Sequence, residues 1–168
     1  ANTKLFCIFG NPVTHSLSPL MHNRAFAETG FNGVYMAFQP TSIREAVEAM
    51  RILKIRGASV TIPFKIDVLS HVDIIDPLAA SIDSANTLVN NDGIITAYNT
   101  DGYGAVTALK EKDVILNNKR CLVIGSGGSA RAITFTLLME GCSIVVAGID
   151  MESTRKLTDD LISSGKAE

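Results

Sequence analysis

Long apolar runs are missing from this 168-residue chain: none approaches the roughly 18–20 residues that a bilayer crossing requires. Cysteine is scarce and scattered. Cys7, Cys121 and Cys142 form an odd set with no CxxC pair, which builds neither a disulfide framework nor a zinc site; reduced core residues in a cytoplasmic protein are expected. His15, His22 and His71 share no ligand spacing, and without an HExxH or a Cys/His cluster no metal is expected. Positive charge is not concentrated either. Fifteen Lys and Arg stand against seventeen Asp and Glu, a net charge of -2, with no basic stripe interleaved with aromatics, so nucleic acid is not an expected partner. No GxSxG elbow points to a serine hydrolase, and there are no internal repeats or low-complexity tracts. Ala1-Asn2-Thr3-Lys4 runs straight into Leu5-Phe6-Cys7-Ile8-Phe9 without a long apolar region ending in a small-residue cleavage site, so a mature soluble chain is expected rather than a secreted one.

What is present suits a packed α/β protein. Hydrophobic residues make up 46% and charged residues 19%, enough for a core and too apolar for general disorder. The length allows one domain, or one domain and part of a second. Leu5–Phe9 reads as a strand closed by Gly10-Asn11-Pro12, followed by a helix from Pro19 to about Glu28 with Ser18 as N-cap and Gly30 as its stop. Val34–Phe38 reads as a strand. Ile43–Leu53 has a helical period, with Ser42 or Thr41 as cap. Ala58–Ile62 reads as a strand stopped by Pro63, with short helices over 66–72 and 77–84. Asn91-Asp92-Gly93 between Thr87–Asn90 and Ile94–Tyr98 predicts a hairpin, because its turn needs positive φ. A helix over 104–112 would link two halves. The order then becomes βαβα: strands at 121–124 and 143–147, helices at 130–139 and 153–162, with short continuous apolar strands that suit a buried parallel sheet.

Four groups of residues carry chemistry. Gly125, Ser126, Gly127, Gly128, Ser129 and Ala130 lie between a strand and a helix. Gly125 and Gly127 suit a tight turn that a pyrophosphate can approach, Ala130 suits close helix–strand packing, and the helix N-terminus presents N–H groups to an anion. Asp150 stands after the second strand, where an acid accepts from a ribose 2′-hydroxyl; its alternative role is the cap of the next helix. Lys65 follows the apolar strand and Pro63, where an ammonium can exchange a proton with a substrate oxygen, and Asp101 in Asn99-Thr100-Asp101-Gly102 is its natural partner. Ser16 and Ser18 flank Leu17 at a helix start, where hydroxyls and N–H groups can hold a carboxylate; the plainer reading of Ser18 is a cap.

Taken together, the segments resemble the shikimate dehydrogenase family, including its quinate/shikimate branch. The resemblance rests on Gly10-Asn11-Pro12-Val13 with His15-Ser16-Leu17-Ser18-Pro19 and His22-Asn23, Val60-Thr61-Ile62-Pro63-Phe64-Lys65, Ala85-Asn86-Thr87-Leu88, Asn99-Thr100-Asp101-Gly102, and the glycine turn at 125–130. It implies an N-terminal α/β substrate-binding domain with a mostly parallel sheet over 1–102, a linker helix region over 103–118, and the first βαβα part of a Rossmann-like NAD(P)-binding domain over 119–168. It further implies that Ser16 and Ser18 hold the substrate carboxylate. Thr61, Lys65, Asn86 and Asp101 would contact ring hydroxyls, with Lys65 and Asp101 as the catalytic pair. The implied reaction is reversible reduction of 3-dehydroshikimate to shikimate with NADP, NAD being a close alternative. Two further readings stay open: a quinate/shikimate dehydrogenase that prefers NAD, and a non-catalytic shikimate-binding module.

Three departures from the family pattern stand out. Ser84 occupies a position where glycine is common. Gly148-Ile149-Asp150 replaces an Asn-Arg-Thr/Ser type of turn and removes the arginine expected at a 2′-phosphate. Family members are also longer. A βαβα piece leaves an apolar sheet edge that a self-partner or a further C-terminal segment is expected to cover.

Overall fold

The computed structural model describes residues 2–163. The chain divides into two compact units: Ala1–Ala79 with Ala85–Tyr98, and Ala80–Ser84 with Asn99–Glu168. Each is described by itself.

The first unit is built on a six-stranded sheet. Its strands are β1 (Lys4–Phe9), β2 (Gly33–Phe38), β3 (Gly57–Val60), β4 (Ile74–Ile75), β5 (Thr87–Asn91) and β6 (Ile94–Tyr98), in the order β2-β1-β3-β5-β6-β4. β1 runs parallel to β2 and β3, and β4 parallel to β6; β5 is antiparallel to β3 and β6. The sheet is therefore mostly parallel, as expected. Alternation along β1 feeds two faces. Cys7 and Phe9 enter the main core with Ile43, Ala46, Val47 and Met50 of α2 (Ile43–Ile52), while Ile8 joins Val13 and Tyr35, with Phe6 and Phe26 of α1 (Ser18–Thr29) against them. α2 forms because its apolar residues recur every three or four positions, and its N-cap Ser42 accepts from the Glu45 N–H at 3.4 Å. β2 is an edge strand, and the side-chain amide of Asn23 pairs with it like a neighbouring strand: Asn23 Nδ2 donates to the Tyr35 carbonyl and Oδ1 accepts from the Tyr35 N–H, both at 2.8 Å. Burial lifts the Cys7 thiol to about 12 and raises the Tyr35 phenol, whose hydroxyl donates to Ser59 Oγ at 2.7 Å.

The hairpin is present, with Asp92 at φ 51° and Gly93 at φ 97°. Two local expectations change. Ser18 is not the cap of α1 but its first residue; Leu17 takes the cap position, and Ser16 Oγ accepts the Ser18 N–H at 3.2 Å. Ser18 is already helical, so its hydroxyl is not placed to accept the N–H groups that an N-cap takes. The segment expected as a helix over 66–72 is a 3-10 helix over Asp67–His71, and β4 follows it unannounced, two exposed isoleucines with no alternation to reveal them.

In the second unit, β7 (Arg120–Ile124) and β8 (Ser143–Ala147) pair in parallel, and α5 (Gly128–Met139) connects them. α4 (Asp101–Lys110) packs on α5, and α6 (Met151–Ser163) sends Leu157 and Leu161 to Ala132, Phe135 and Ile82. α4 begins at Asp101, three residues before the expected start. Gly102 explains this: a Cβ there would lie 2.0 Å from Thr136 Oγ1 and 2.5 Å from the Ala132 carbonyl, so glycine permits the close helix contact that outweighs its poor helix propensity. Buried Arg131 donates through Nε to the Ile82 carbonyl at 3.1 Å and pairs with Asp160 and Asp83, tying the 80–84 segment and α6 to α5. The helix expected to link two halves thus packs within this unit. Among the described residues, no helix is long and apolar enough to cross a membrane.

Candidate functional site

In the first unit the expected site residues gather at one end of the sheet. β1 and β3 end there and β5 begins there, so the loops after the first two strands meet the entry to the third. Two main-chain bonds hold these loops together: Asn11 N–H to the Ile62 carbonyl and Thr61 N–H to the Phe9 carbonyl, both 2.9 Å. The peptides before Pro12 and Pro63 are cis. Gly10 is needed for the approach, since a Cβ would stand 2.3 Å from Thr61 Cγ2. Lys65 and Asn86 are fixed through their backbones: the Ala85 N–H donates to the Lys65 carbonyl at 2.8 Å, the Asn86 N–H to Tyr98 at 3.0 Å, and the Val60 N–H to the Asn86 carbonyl at 2.8 Å. Ser16, Ser18, Thr61, Lys65 and Asn86 are all half-buried, reachable by a small molecule yet packed on one side. His22 stacks on Tyr35 with ring centroids 4.3 Å apart, so this histidine of the first motif serves packing.

The glycine turn and Asp101 both belong to the second unit. Gly125 has φ 118°, which glycine alone adopts easily, and its N–H donates to the Ala147 carbonyl at 2.7 Å. A Cβ on Gly125 would meet Ala130 Cβ at 4.0 Å, and among the described residues, its chain neighbours aside, nothing lies within 4 Å of a Cβ on Gly127. The helix ladder of α5 starts with Arg131 N–H to the Gly127 carbonyl, and Gly127 supplies no side-chain cap. A bare helix end with an open approach over Gly127 fits a pyrophosphate group. Asp101 opens α4, where a carboxylate is favoured by the helix dipole. Its N–H donates to Asn99 Oδ1 at 3.0 Å, and the Ser129 hydroxyl donates to its Oδ2 at 3.3 Å.

Asp150 is engaged at the start of α6. Its Oδ1 accepts from the Glu152 N–H at 3.0 Å and its Oδ2 from the Ser153 hydroxyl, and these bonds, Ser153 first, hold the carboxyl below the ordinary carboxylate range. This is the helix-cap arrangement. Gly148 beside it is required by close packing, because a Cβ would lie 2.2 Å from Thr154 Oγ1. Asn99 and Ser84 were not among the expected site residues. The signal for Asn99 was available, since an Asn two residues before an acid at a helix start is an Asx turn; for Ser84 there was none. Among the described residues, no three His, Cys, Asp or Glu side chains group as an ion-binding set.

A mixed sheet with polar side chains at one end, together with a β-α-β unit opening on a glycine turn, defines an α/β protein with a Rossmann-type unit. Residues 8–88 match the family described as the shikimate dehydrogenase substrate binding domain. A shikimate dehydrogenase (NADP(+)) of Moorella thermoacetica is 43% identical over 168 residues, covering 98% of this chain and 57% of that protein. A solved shikimate dehydrogenase in complex with NADP+ superposes with a TM-score of 0.92 at 37% identity, over 99% of this chain and 58% of that one. Another, from Listeria monocytogenes in complex with shikimate and NAD, gives 0.88 at 32% identity, over 100% of this chain and 60% of that one. The chain is thus similar to shikimate dehydrogenases over nearly its whole length. It spans somewhat more than half the length of these relatives.

Proposed function

We propose that the protein carrying this chain catalyses the reversible, NADP-dependent reduction of 3-dehydroshikimate to shikimate. The observation that carries this reading is the gathering of Ser16, Ser18, Thr61, Lys65 and Asn86 at one end of the sheet, in a chain whose relatives carry that activity in their names. In this reading residues 1–102 form the substrate side and 119–168 the start of the dinucleotide side. Ser16 and Ser18, at the positive end of α1, hold the substrate carboxylate. Thr61 and Asn86 hold ring hydroxyls. NADPH, when bound, supplies the hydride. The Lys65 ammonium donates the proton that the carbonyl oxygen gains, and takes it back in the oxidative direction, and Asp101 is assigned as the second member of the catalytic pair. Gly125, Ser126, Gly127, Gly128, Ser129 and Ala130 accept the pyrophosphate at the start of α5.

Replacing Lys65 by Ala in the full-length protein tests this. Loss of acid–base catalysis lowers kcat by about 10²- to 10⁴-fold with the circular dichroism spectrum unchanged. Near-normal turnover would remove Lys65 from its role. The NAD alternative is favoured by the NAD in the Listeria complex; the ratio of kcat/KM for the two cofactors decides between them.

A further inference from the structure

Four hydrogen bonds in the second unit form a closed circuit. The Ser84 hydroxyl donates to the Gly128 carbonyl at 3.3 Å, and Asn99 Nδ2 donates to the Ser84 carbonyl at 2.9 Å. Asn99 Oδ1 then accepts the Asp101 N–H at 3.0 Å, and the Ser129 hydroxyl returns to Asp101 Oδ2 at 3.3 Å. Gly128 and Ser129 are consecutive, so the path ends where it began. Ser84 is 0% exposed and Asn99 6%, which keeps half of the circuit out of water.

We propose that this circuit is a positioning device, with Ser84 as its closing residue: it holds the first turn of α5 and the Asp101 carboxylate as one rigid piece. The proposal rests on the reading of the glycine turn as cofactor site and of Asp101 as catalytic. Asn99 Nδ2 reaches both the Ser84 carbonyl and, at 3.5 Å, the Ser84 hydroxyl, while its Oδ1 holds the Asp101 N–H, so the hydroxyl helps to fix the amide that holds Asp101. What that hydroxyl adds besides is the link to Gly128, a helix residue that accepts the pyrophosphate in the proposed function. The direct bond from Ser129 to Asp101 is exposed, and a solvent-facing hydrogen bond holds little against water. With the Ser84 link, the buried and exposed arms support each other. The circuit thereby ties the alignment of the cofactor end to the alignment of the acid.

The test uses the full-length protein with Ser84→Ala, Ser129→Ala and both together, reading the NADP dissociation constant, kcat, and hydrogen exchange of the Asp101 amide. Ser84→Ala is expected to weaken NADP binding and lower kcat, each by about 3- to 10-fold, the scale of one neutral hydrogen bond. In the Ser129→Ala background the same change is expected to cost less, because the circuit is already open. Two losses that simply add would overturn the proposal. So would a Ser84→Ala protein that melts earlier yet keeps both constants. Should the wild-type protein bind no NADP, the cofactor reading falls by itself. Hydrogen exchange then decides the circuit: faster exchange at Asp101 in Ser84→Ala supports it, and unchanged exchange overturns it.

Discussion

In the first unit β1 lies between β2 and β3 with apolar side chains packed on both faces, and Cys7, Met50, Leu88 and Ile95 have no solvent exposure. Among the described residues of the second unit, β7 and β8 lie side by side with one face covered, and Leu122 and Ile124 are 62% and 81% exposed. The candidate residues follow the same division. The backbones of Lys65, Thr61 and Asn86 are set by main-chain bonds of a covered sheet, with Thr87 Oγ1 donating to Asn86 Oδ1. The carboxylates of Asp101 and Asp150, by contrast, accept from the Ser129 and Ser153 hydroxyls, Asp150 also from the Glu152 N–H. A site held by backbone tolerates change in the side chains around it. A site held by hydroxyls and amides can be altered one atom at a time.

The strongest test of this contrast is packing. Met50→Ala removes a fully buried side chain of α2 and is expected to cost about 2–5 kcal/mol in urea unfolding. Ile124→Ala, on the open face of β7, is expected to stay within about 0.5 kcal/mol of wild type. Equal losses would break the comparison, because they would mean that Ile124 is covered in the folded protein.

Two glycines on α4 sharpen it next. Gly102→Ala places a methyl 2.0 Å from Thr136 Oγ1, and forcing α4 off α5 is expected to cost about 1–3 kcal/mol. Gly104, two residues on, has nothing within 4 Å of its Cβ position, and Gly104→Ala is expected to stabilise by about 0.5–1 kcal/mol through helix propensity. Paired thermal melts check both signs.

These glycines also show where the sequence could be read and where it could not. The period of Ile43 to Met50 and the Asn91-Asp92-Gly93 turn are local signals, and α2 and the hairpin stand where they placed them. That Ser16, Thr61 and Asn86 act together was implied by the resemblance alone; the strand order that sets the ends of β1 and β3 beside the start of β5 was not read from the sequence. Gly102 opposed the helix it belongs to, because its reason lies in Thr136 on another helix. Ser84 was noted as a departure from the family pattern but given no role, because its partners are 15 and 44 positions away in sequence. Ser18 suited the cap, but the helix starts one residue earlier, with Leu17 at the cap position. What stayed hidden was contact between residues far apart in the chain.

The smallest expected effect concerns Asp150, where the two units' manner of holding an acid is most exposed. Its hydrogen bonds from Ser153 and Glu152 hold the carboxyl below the ordinary range, so folding favours the ionised form. Stability from such a group is fully present above the unfolded carboxylate value and is lost as pH falls through the lowered folded one. Asp150→Ala is therefore expected to melt slightly earlier than wild type at neutral pH, with the gap closing in acid. Asp150→Asn keeps an acceptor for the Glu152 N–H and is expected to recover part of the difference, losing only the favourable charge at the helix start. The same variants separate the two roles of this residue. A carboxylate that only caps α6 leaves the NADP-to-NAD ratio of kcat/KM unchanged in Asp150→Ala. One that faces the ribose repels a 2′-phosphate, and its removal shifts the ratio toward NADP. With both oxygens already engaged by α6, the expected result is a small change in melting and an unchanged ratio.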